Sequence, residues 1–331
     1  MKVLVTGATS LLGRAVAERL QAGGDDVTVF QRRPSRLGAR EVLGDVADLP
    51  AVEAAVAGAE VVIHAAAKVA VVGPWSAFEK TNITGTANML SAARTADVNR
   101  FVYVSSPSVA HAGRSLVGAP AGLANAGLAR GNYARSKAYA ERLALNADTG
   151  GFSVVAVRPH AVWGPGDTQL IGRILARARR GRLAVVGSGA ALIDTTYIDN
   201  AADAIVATAA HANELGGRAL VVSNGQPRPV RELLNRIVTA AGLEPPRLRV
   251  PLAVALTAGT VLERSWDRLH REGDPPITRF LAEQLSTAHW FDQRETRRVL
   301  RWEPAVDLDE GFARLESWLR TSQVGDLDAQ N

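Results

Sequence analysis

Short apolar runs alternate with amphipathic segments along most of the chain. Lys2–Val5, Asp26–Phe30, Val42–Val46, Val61–Ala67, Arg100–Val104 and Phe152–Arg158 are such runs, several rich in β-branched residues. Val61–Ala67 is apolar almost without interruption, the pattern of a strand covered on both faces, as in a parallel sheet. Between the runs, apolar positions recur at helical spacing: Leu12, Val16 and Leu20 after the first run, then Leu49–Ala57, Trp75–Asp97 and Ala134–Asn146. Strands that alternate with helices predict a doubly wound α/β fold. Further on, Ile171–Arg180 and Val230–Ala241 read as helices and Ala219–Ser223 as a strand. Ala190–Asn200 reads as a strand running into a capped helix start. No linker separates the halves, so one globule with a cleft is expected.

The first strand-to-helix turn is Thr6-Gly7-Ala8-Thr9-Ser10-Leu11-Leu12-Gly13. A tight turn of small residues opening a helix presents free N–H groups and the positive end of the helix dipole, which suits a pyrophosphate. Gly7 permits the sharp turn, and Gly13 close packing of helix on strand. Ser10 stands where a G-x-x-G-x-x-G turn has its middle glycine; its β-carbon could crowd the phosphate, or its hydroxyl donate to it. The second strand ends in Gln31-Arg32-Arg33, where an NAD-specific fold carries an acid that holds the ribose hydroxyls. Guanidinium groups there would clamp a 2′-phosphate, so NADP(H) is expected over NAD(H), unless both arginines simply face water. Asp45, followed by Val46, is placed to accept from an adenine amino group. The small Ala65-Ala66-Ala67, with Lys68 after them, leaves room for a cofactor backbone.

Composition narrows the classes. The 331 residues are 47% hydrophobic and 21% charged, ordinary for a globular protein, and include no cysteine. Disulfides and thiolate-bound metals are therefore excluded, the six histidines show no ligand spacing, and no metal is expected. The net charge of +5 is carried almost wholly by arginines scattered among acids, which reads as a solvated surface rather than a nucleic-acid face. No apolar stretch reaches the about 18 residues of a membrane span, and no cleavable leader precedes the first strand, so a cytoplasmic location is expected. Val250–Leu262 comes nearest to a span. It could shelter a hydrophobic substrate or lie at a membrane surface, with the first reading preferred.

The strand ending at Val104 runs into Ser105-Ser106-Pro107-Ser108, at the sheet edge where such folds place ligands. Tyr133 and Lys137 lie four apart, on one helix face. A phenol titrates near ~10, and an adjacent cation would bring it toward neutrality. A serine hydroxyl could then polarise a substrate carbonyl. The glycine-rich turn, the serine and the Tyr-x-x-x-Lys pair form one constellation.

With these residues in place, the chain resembles the extended short-chain dehydrogenase/reductase family over nearly its whole length. Thr6-Gly7…Gly13, Asp45-Val46, His64…Ala66-Ala67, Asn82…Gly85-Thr86, Ser105-Ser106, Tyr133…Lys137 and Arg158-Pro159…Gly164-Pro165 match family motifs in the family's order. The resemblance implies a Rossmann sheet with a smaller C-terminal substrate-binding lobe. Residues 1–165 would mainly bind cofactor and 166–320 mainly substrate, with some strands and helices returning to the first part, and 321–331 would be a frayed tail. Ser106 would be the active-site serine, with Ser105 and Ser108 as alternatives, and Tyr133 the general acid-base. Lys137 would hold the nicotinamide ribose and lower the tyrosine's pKa, and Asn82 would hold the geometry. Pro159, His160 and Val162 would frame the nicotinamide.

Dehydratases of nucleotide sugars carry Asp-Glu after the active-site hydroxyl; Pro107 and Ser108 stand there instead. Ser105–Val109, Arg158–His160, Asp194–Asn200 and Pro275–Thr278 resemble the 3-beta-hydroxysteroid dehydrogenase branch, and within it the bacterial enzymes that reduce 2-alkyl-3-oxoalkanoic acids in long-chain olefin synthesis. That implies NADPH-dependent reduction of a hydrophobic 3-oxo acid to the 3-hydroxy acid, a homodimer, and a complex with other enzymes of that route. Hydroxysteroid or sterol-carboxylate dehydrogenation, sugar-nucleotide epimerisation and cofactor sensing are the alternatives. Substrate candidates are Ser108, His160, Trp163, Asp194 and Tyr197. His160 or Arg173 could meet a carboxylate, while His160, Asp194 and Tyr197 could equally be ordinary packing.

Overall fold

The computed structural model describes residues 1–111, 113–269 and 275–328. Seven strands form its central sheet: β1 (Lys2–Thr6), β2 (Asp26–Gln31), β3 (Arg40–Leu43), β4 (Val61–His64), β5 (Arg100–Val104), β6 (Ser153–Pro159) and β7 (Ala219–Val222). All pair in parallel, in the order β7-β6-β5-β4-β1-β2-β3. The order reverses at β1, which opens a crevice beyond the strand ends between β1 and β4.

Side chains alternate across each strand, so both faces of the sheet are lined by apolar residues. Val3 and Val5 face helices α1 (Leu11–Ala22) and Ile198–Leu215, packing with Val16, Leu20 and Ile205. Leu4 points the other way, into a layer with Val52, Met89, Leu90 and Ala144. These come from α2 (Leu49–Val56), α3 (Gly85–Thr95) and α4 (Gly131–Asn146). A second core, containing Trp163, Ile174, Leu233, Leu234 and Phe312, belongs to the smaller lobe. Its four-stranded sheet runs Arg228–Pro229, Leu192–Ile193, His289–Phe291, Leu116–Ala119. The last of these strands comes from the loop between β5 and α4, so residues near 116 join the lobe although they precede β6.

Several elements differ from the periodicity. The third strand is Arg40–Leu43 rather than Val42–Val46, because its partners are Thr28–Gln31 of β2. As an edge strand it needs no apolar run. Trp75–Asp97 is three pieces: a short helix Trp75–Phe78, a π-helical segment Glu79–Thr84, and α3. A π turn adds a residue without changing hydrophobicity, so periodicity does not reveal it. Ala190–Asn200 holds two strands of two residues, Leu192–Ile193 and Thr196–Tyr197, before the helix at Ile198. Val250–Leu262 belongs largely to the helix Leu252–Arg268, which packs on Arg279–Ser286 through Ala255 and Ala282 and leaves Val254 and Val261 exposed. The final helix, Leu308–Asp328, continues into the stretch expected to fray; residues 329–331 lie outside the described residues. Among the described residues no helix is long and apolar enough to cross a membrane.

Candidate active site

The glycine-rich turn is packed backbone to backbone. Gly7 is left-handed (φ 78°), and a β-carbon there would lie 2.9 Å from the Ala66 Cα. A β-carbon on Gly13 would lie 2.3 Å from the Gly7 carbonyl oxygen. Ser10 is the N-cap of α1: its Oγ accepts from the Gly13 N–H (3.1 Å) and donates to the Gly7 carbonyl (2.8 Å). Its hydroxyl therefore closes the turn, where the sequence left it to crowd or contact a phosphate. Thr6 lies beneath the crevice rather than in it. Its Oγ1 accepts from the Ala66 N–H (2.9 Å) and meets His64 Nδ1 at 2.8 Å. His64 Nε2 reaches Thr86 Oγ1 at 3.2 Å, and that hydroxyl donates to the Asn82 carbonyl (2.7 Å). Burial pushes His64 down to about 3, so the ring is neutral and relays one hydrogen-bond direction from turn to Asn82.

A crevice of about 480 Å³ runs along the strand ends. Gln31, Arg32, Arg33, Asp45 and Val46 line one end; Tyr133, Lys137, Pro159 and Val162 line the other. Thr9, Ser10, Leu11, Leu12 and Ala65–Ala67 lie between them, with the start of α1 facing in and no acid in its first turn. A nicotinamide dinucleotide fits these residues: the glycine cradle admits no side chain, and the helix start favours an anion. Gln31 Oε1 is buried without a partner, while Gln31 Nε2 and Ser35 engage the Glu41 carboxylate. Besides Thr6 and Gly13, which do not line the crevice, two expected contacts fall elsewhere. Lys68 sets its ammonium over the Phe78 ring, 5.4 Å from the centroid, and only its backbone meets the site, through Asn82. His160 lies in a neighbouring cavity. Phe30, Thr81, Asp167 and Gln169 also line the crevice and carried no sequence motif.

Asn82, on the π segment, is buried. Its Oδ1 accepts from the Lys68 N–H (2.7 Å), and its Nδ2 donates to the Lys68 carbonyl (3.2 Å) and Ser136 Oγ (2.9 Å). Ser136 sits between Tyr133 and Lys137 on α4 and donates to the Tyr133 carbonyl (2.8 Å). Asn82 thus ties the catalytic helix to the loop after β4. Lys137 donates to the Val104 carbonyl (2.6 Å) and lies 4.1 Å from the Tyr103 ring centroid. Burial pushes it down to about 7, opposed by the Glu141 carboxylate. Burial pushes the Tyr133 phenol above its ordinary value, opposed by the Ser106 hydroxyl. The expected lowering of the tyrosine by Lys137 is therefore not what this site displays: desolvation of the phenol outweighs the Ser106 bond.

Ser106, Tyr133 and Ala161 line both the crevice and a second cavity of about 290 Å³. Ala161, a non-glycine residue at φ 44°, marks strained backbone at that junction. Leu170, Ile174, Leu233, Ile237, Phe280 and Leu281 form much of the cavity wall, with Ser108 and Trp163. Among the described residues no Lys, Arg, Asp or Glu lines it. Arg173 and the Val250–Leu262 stretch do not line it, and two other substrate candidates are displaced. Asp194 is fully buried and accepts from Ser223 Oγ (2.5 Å) and from the N–H groups of Thr195, Gly225 and Gln226, which makes it a fastener of loops. Tyr197 packs behind Trp163, ring centroids 5.5 Å apart. His111, Gln284 and His289 line the cavity and were missed, because they converge from distant segments.

A dinucleotide-type crevice meeting an apolar cavity at a serine and a tyrosine defines an NAD(P)-dependent oxidoreductase. The chain belongs to the NAD dependent epimerase/dehydratase family, whose profile matches residues 3–223, and so to the extended short-chain dehydrogenase/reductases. It is 39% identical to the 2-alkyl-3-oxoalkanoate reductase of Stenotrophomonas maltophilia, over 96% of this chain and 99% of that one. It is 32% identical to a 3 beta-hydroxysteroid dehydrogenase/Delta 5-->4-isomerase of Mycobacterium tuberculosis, over 92% of this chain and 86% of that one. Among solved structures, MoeE5 in complex with UDP-glucose and NAD aligns with a TM-score of 0.75 at 27% identity, covering 98% of this chain and all (100%) of that one. These likenesses support a reductase role.

Proposed function

We propose that the protein reduces the 3-oxo group of a hydrophobic 2-alkyl-3-oxoalkanoic acid to the 3-hydroxy acid, using NADPH, in long-chain olefin synthesis. The observation that carries this reading is the position of Ser106 and Tyr133, shared between the cofactor crevice and a cavity whose walls are apolar. The cofactor, when bound, supplies the hydride. Ser106 donates a hydrogen bond to the ketone oxygen, and Tyr133 gives its proton to that oxygen as negative charge develops. A phenol held above its ordinary pKa stays protonated at neutral pH, the state the reductive direction requires. Lys137 holds the cofactor ribose from the same helix, and Asn82 positions that helix. Arg32 and Arg33, at the crevice edge, would clamp a 2′-phosphate, and β2 itself ends in Gln31 rather than in an acid. The chain would act as a homodimer through α3 and α4, where Tyr139 and Leu143 are exposed.

Replacing Tyr133 by Phe tests the assignment: turnover should vanish while cofactor binding stays nearly intact, and substantial remaining turnover would refute it. The apolar walls would also receive a steroid, as in the mycobacterial relative. Parallel assays with a 2-alkyl-3-hydroxy acid and a 3-hydroxysteroid separate the two readings.

A further inference from the structure

Three of the chain's six histidines meet in the apolar cavity. His111 follows the turn Pro107–Ala110, His160 follows β6, and His289 opens the strand His289–Phe291. His160 Nε2 lies 3.0 Å from His289 Nδ1, and His289 Nε2 lies 2.8 Å from the Gln284 carbonyl. A carbonyl only accepts, so neutral His289 carries its proton on Nε2 and accepts at Nδ1; His160 must then donate through Nε2. His111 Nδ1 accepts from the Gly113 N–H (3.3 Å) and faces the Gln284 side-chain Nε2 (3.1 Å), which places its proton on Nε2.

Among the described residues two ring nitrogens are left without a partner: His111 Nε2, a donor, and His160 Nδ1, a lone pair. The residues are 4% and 8% exposed, so water does not routinely satisfy them. Buried polar atoms left unpaired are costly and call for an explanation. The missing partner has a definite character. An anion entering an apolar cavity needs a cation or donors there, and among the described residues no lysine or arginine lines this one.

We propose that this cluster is the subsite for the substrate's carboxylate. His111 donates its Nε2–H to the carboxylate, and the His160–His289 pair takes up one proton from solvent as the acid enters, so that the anion is buried against an imidazolium. The added proton goes to His160 Nδ1, the ring nitrogen left unpaired, and the Asp194 backbone favours the charged ring. This rests on the reading of the substrate as an oxo acid.

The groups facing each ring fix the resting state. Burial holds His160 well below its ordinary value, with His289 and His111 acting the same way and the Asp194 carbonyl opposing. Burial holds His289 at about 4, with the Gln284 carbonyl opposing. Burial also lowers His111; the Glu283 carboxylate opposes it and the Arg130 guanidinium adds to it. Glu283 is itself paired with Arg279 (2.9 Å) and Arg130 (3.9 Å). The empty cluster is therefore neutral at pH 7, and proton uptake must accompany the acid.

The test uses the holoenzyme with a 2-alkyl-3-hydroxy acid, which does not decarboxylate as the oxo acid does, beside its methyl ester: binding is read with NADPH, with which neither turns over, and turnover with NADP⁺. Calorimetry in buffers of different ionisation heat should give uptake of close to one proton per acid bound and none for the ester. Acid affinity should fall roughly tenfold per pH unit above neutrality, and ester affinity should not change with pH. In His111→Phe and His289→Phe the ratio of acid to ester affinity should drop ~10–100-fold. Acid binding without proton uptake, or an unchanged acid-to-ester ratio in both variants, overturns the proposal. If the wild type oxidises acid and ester alike, the reductase reading stands and the histidine subsite alone falls. If it oxidises neither, both fall.

Discussion

Replacing Glu141 by Gln should destabilise the protein far more than its distance from the reacting atoms would indicate. Glu141 lies on α4 one turn beyond Lys137 and is 0% exposed; Arg158, near the end of β6, is 1% exposed. Arg158 Nε donates to Glu141 Oε2 at 2.8 Å, and its Nη2 donates to Oε1, a bidentate pair. Arg158 Nη1 also holds the carbonyls of Ala121 and Gly122. The pair fastens the helix bearing Tyr133 and Lys137 to the sheet and to the loop below it. Neutralising one partner strands a buried guanidinium, which costs ~3–5 kcal/mol, whereas replacing both charges by apolar groups is often near neutral.

The double variant Glu141→Leu/Arg158→Met should therefore recover most of the loss. It should remain ~1–2 kcal/mol below wild type, because the Ala121 and Gly122 carbonyls lose their donor. Urea midpoints at constant m-value read both quantities. A Glu141→Gln variant within about 1 kcal/mol of wild type, or a double variant as unstable as the sum of the singles, would refute the account. One further readout follows. Burial, then Glu141, sets Lys137 at about 7, so removing the carboxylate should lower Lys137 further, visible in the carbon shifts of a labelled lysine.

Three other outcomes are expected. Arg32→Ala with Arg33→Ala should weaken NADP(H) by ~10–100-fold and NAD(H) little, since only the former carries a phosphate for two guanidinium groups; equal losses in titration would remove the NADP argument. Gly13→Ala should cost ~1–3 kcal/mol and loosen cofactor binding, because its β-carbon would fall 2.3 Å from the Gly7 carbonyl; undiminished affinity and melting temperature would contradict that packing. Acid should unfold the protein early. His64 and His289 are held down to about 3 and about 4, so below ~6.5 the unfolded chain binds more protons than the folded one. Stability present at pH 7 is then lost as pH falls toward 4, by ~3 kcal/mol for the two rings between pH 6.5 and 5. A melting temperature level over that interval would show that the rings are not buried neutral.

The cofactor half was legible because each of its parts is local. The turn from Thr6 to Gly13 is one segment, its two critical glycines are fixed by backbone clashes within it or with the neighbouring Ala66, and Tyr133 and Lys137 need only one helix. Where the reading went astray, features that residue spacing does not record had intervened. Ser10 fits a phosphate loop by position, yet its hydroxyl is taken by the Gly7 carbonyl and Gly13 N–H. The Tyr–Lys spacing says the two side chains share a face. It does not say how deeply each is buried, and depth decides that Tyr133 is raised rather than lowered. Asn82 could be picked out by motif but not explained, since the π turn that presents it leaves no mark on periodicity.

The substrate half was legible only at Ser108, His160 and Trp163, for a different reason, and the difference bears on how specificity is built. Its cavity takes side chains from the segments near 108, 160, 170, 193, 233, 284 and 289, held by strands two to four residues long and by loops fastened to Asp194. Such strands are too short to show a period, and a cluster drawn from residues 111, 160 and 289 has no spacing to detect. Asp194 and Tyr197 looked like substrate contacts because polar and aromatic residues at a strand end invite that reading. In the fold they hold the frame, and three histidines from separate segments join Ser108 and Gln284 among the polar groups of the cavity. The catalytic end, Ser106 and Tyr133, stays on the rigid sheet and helix, while the walls rest on the lobe. On the proposed reading, a change in the lobe would therefore alter which ketone is held without moving Ser106 and Tyr133.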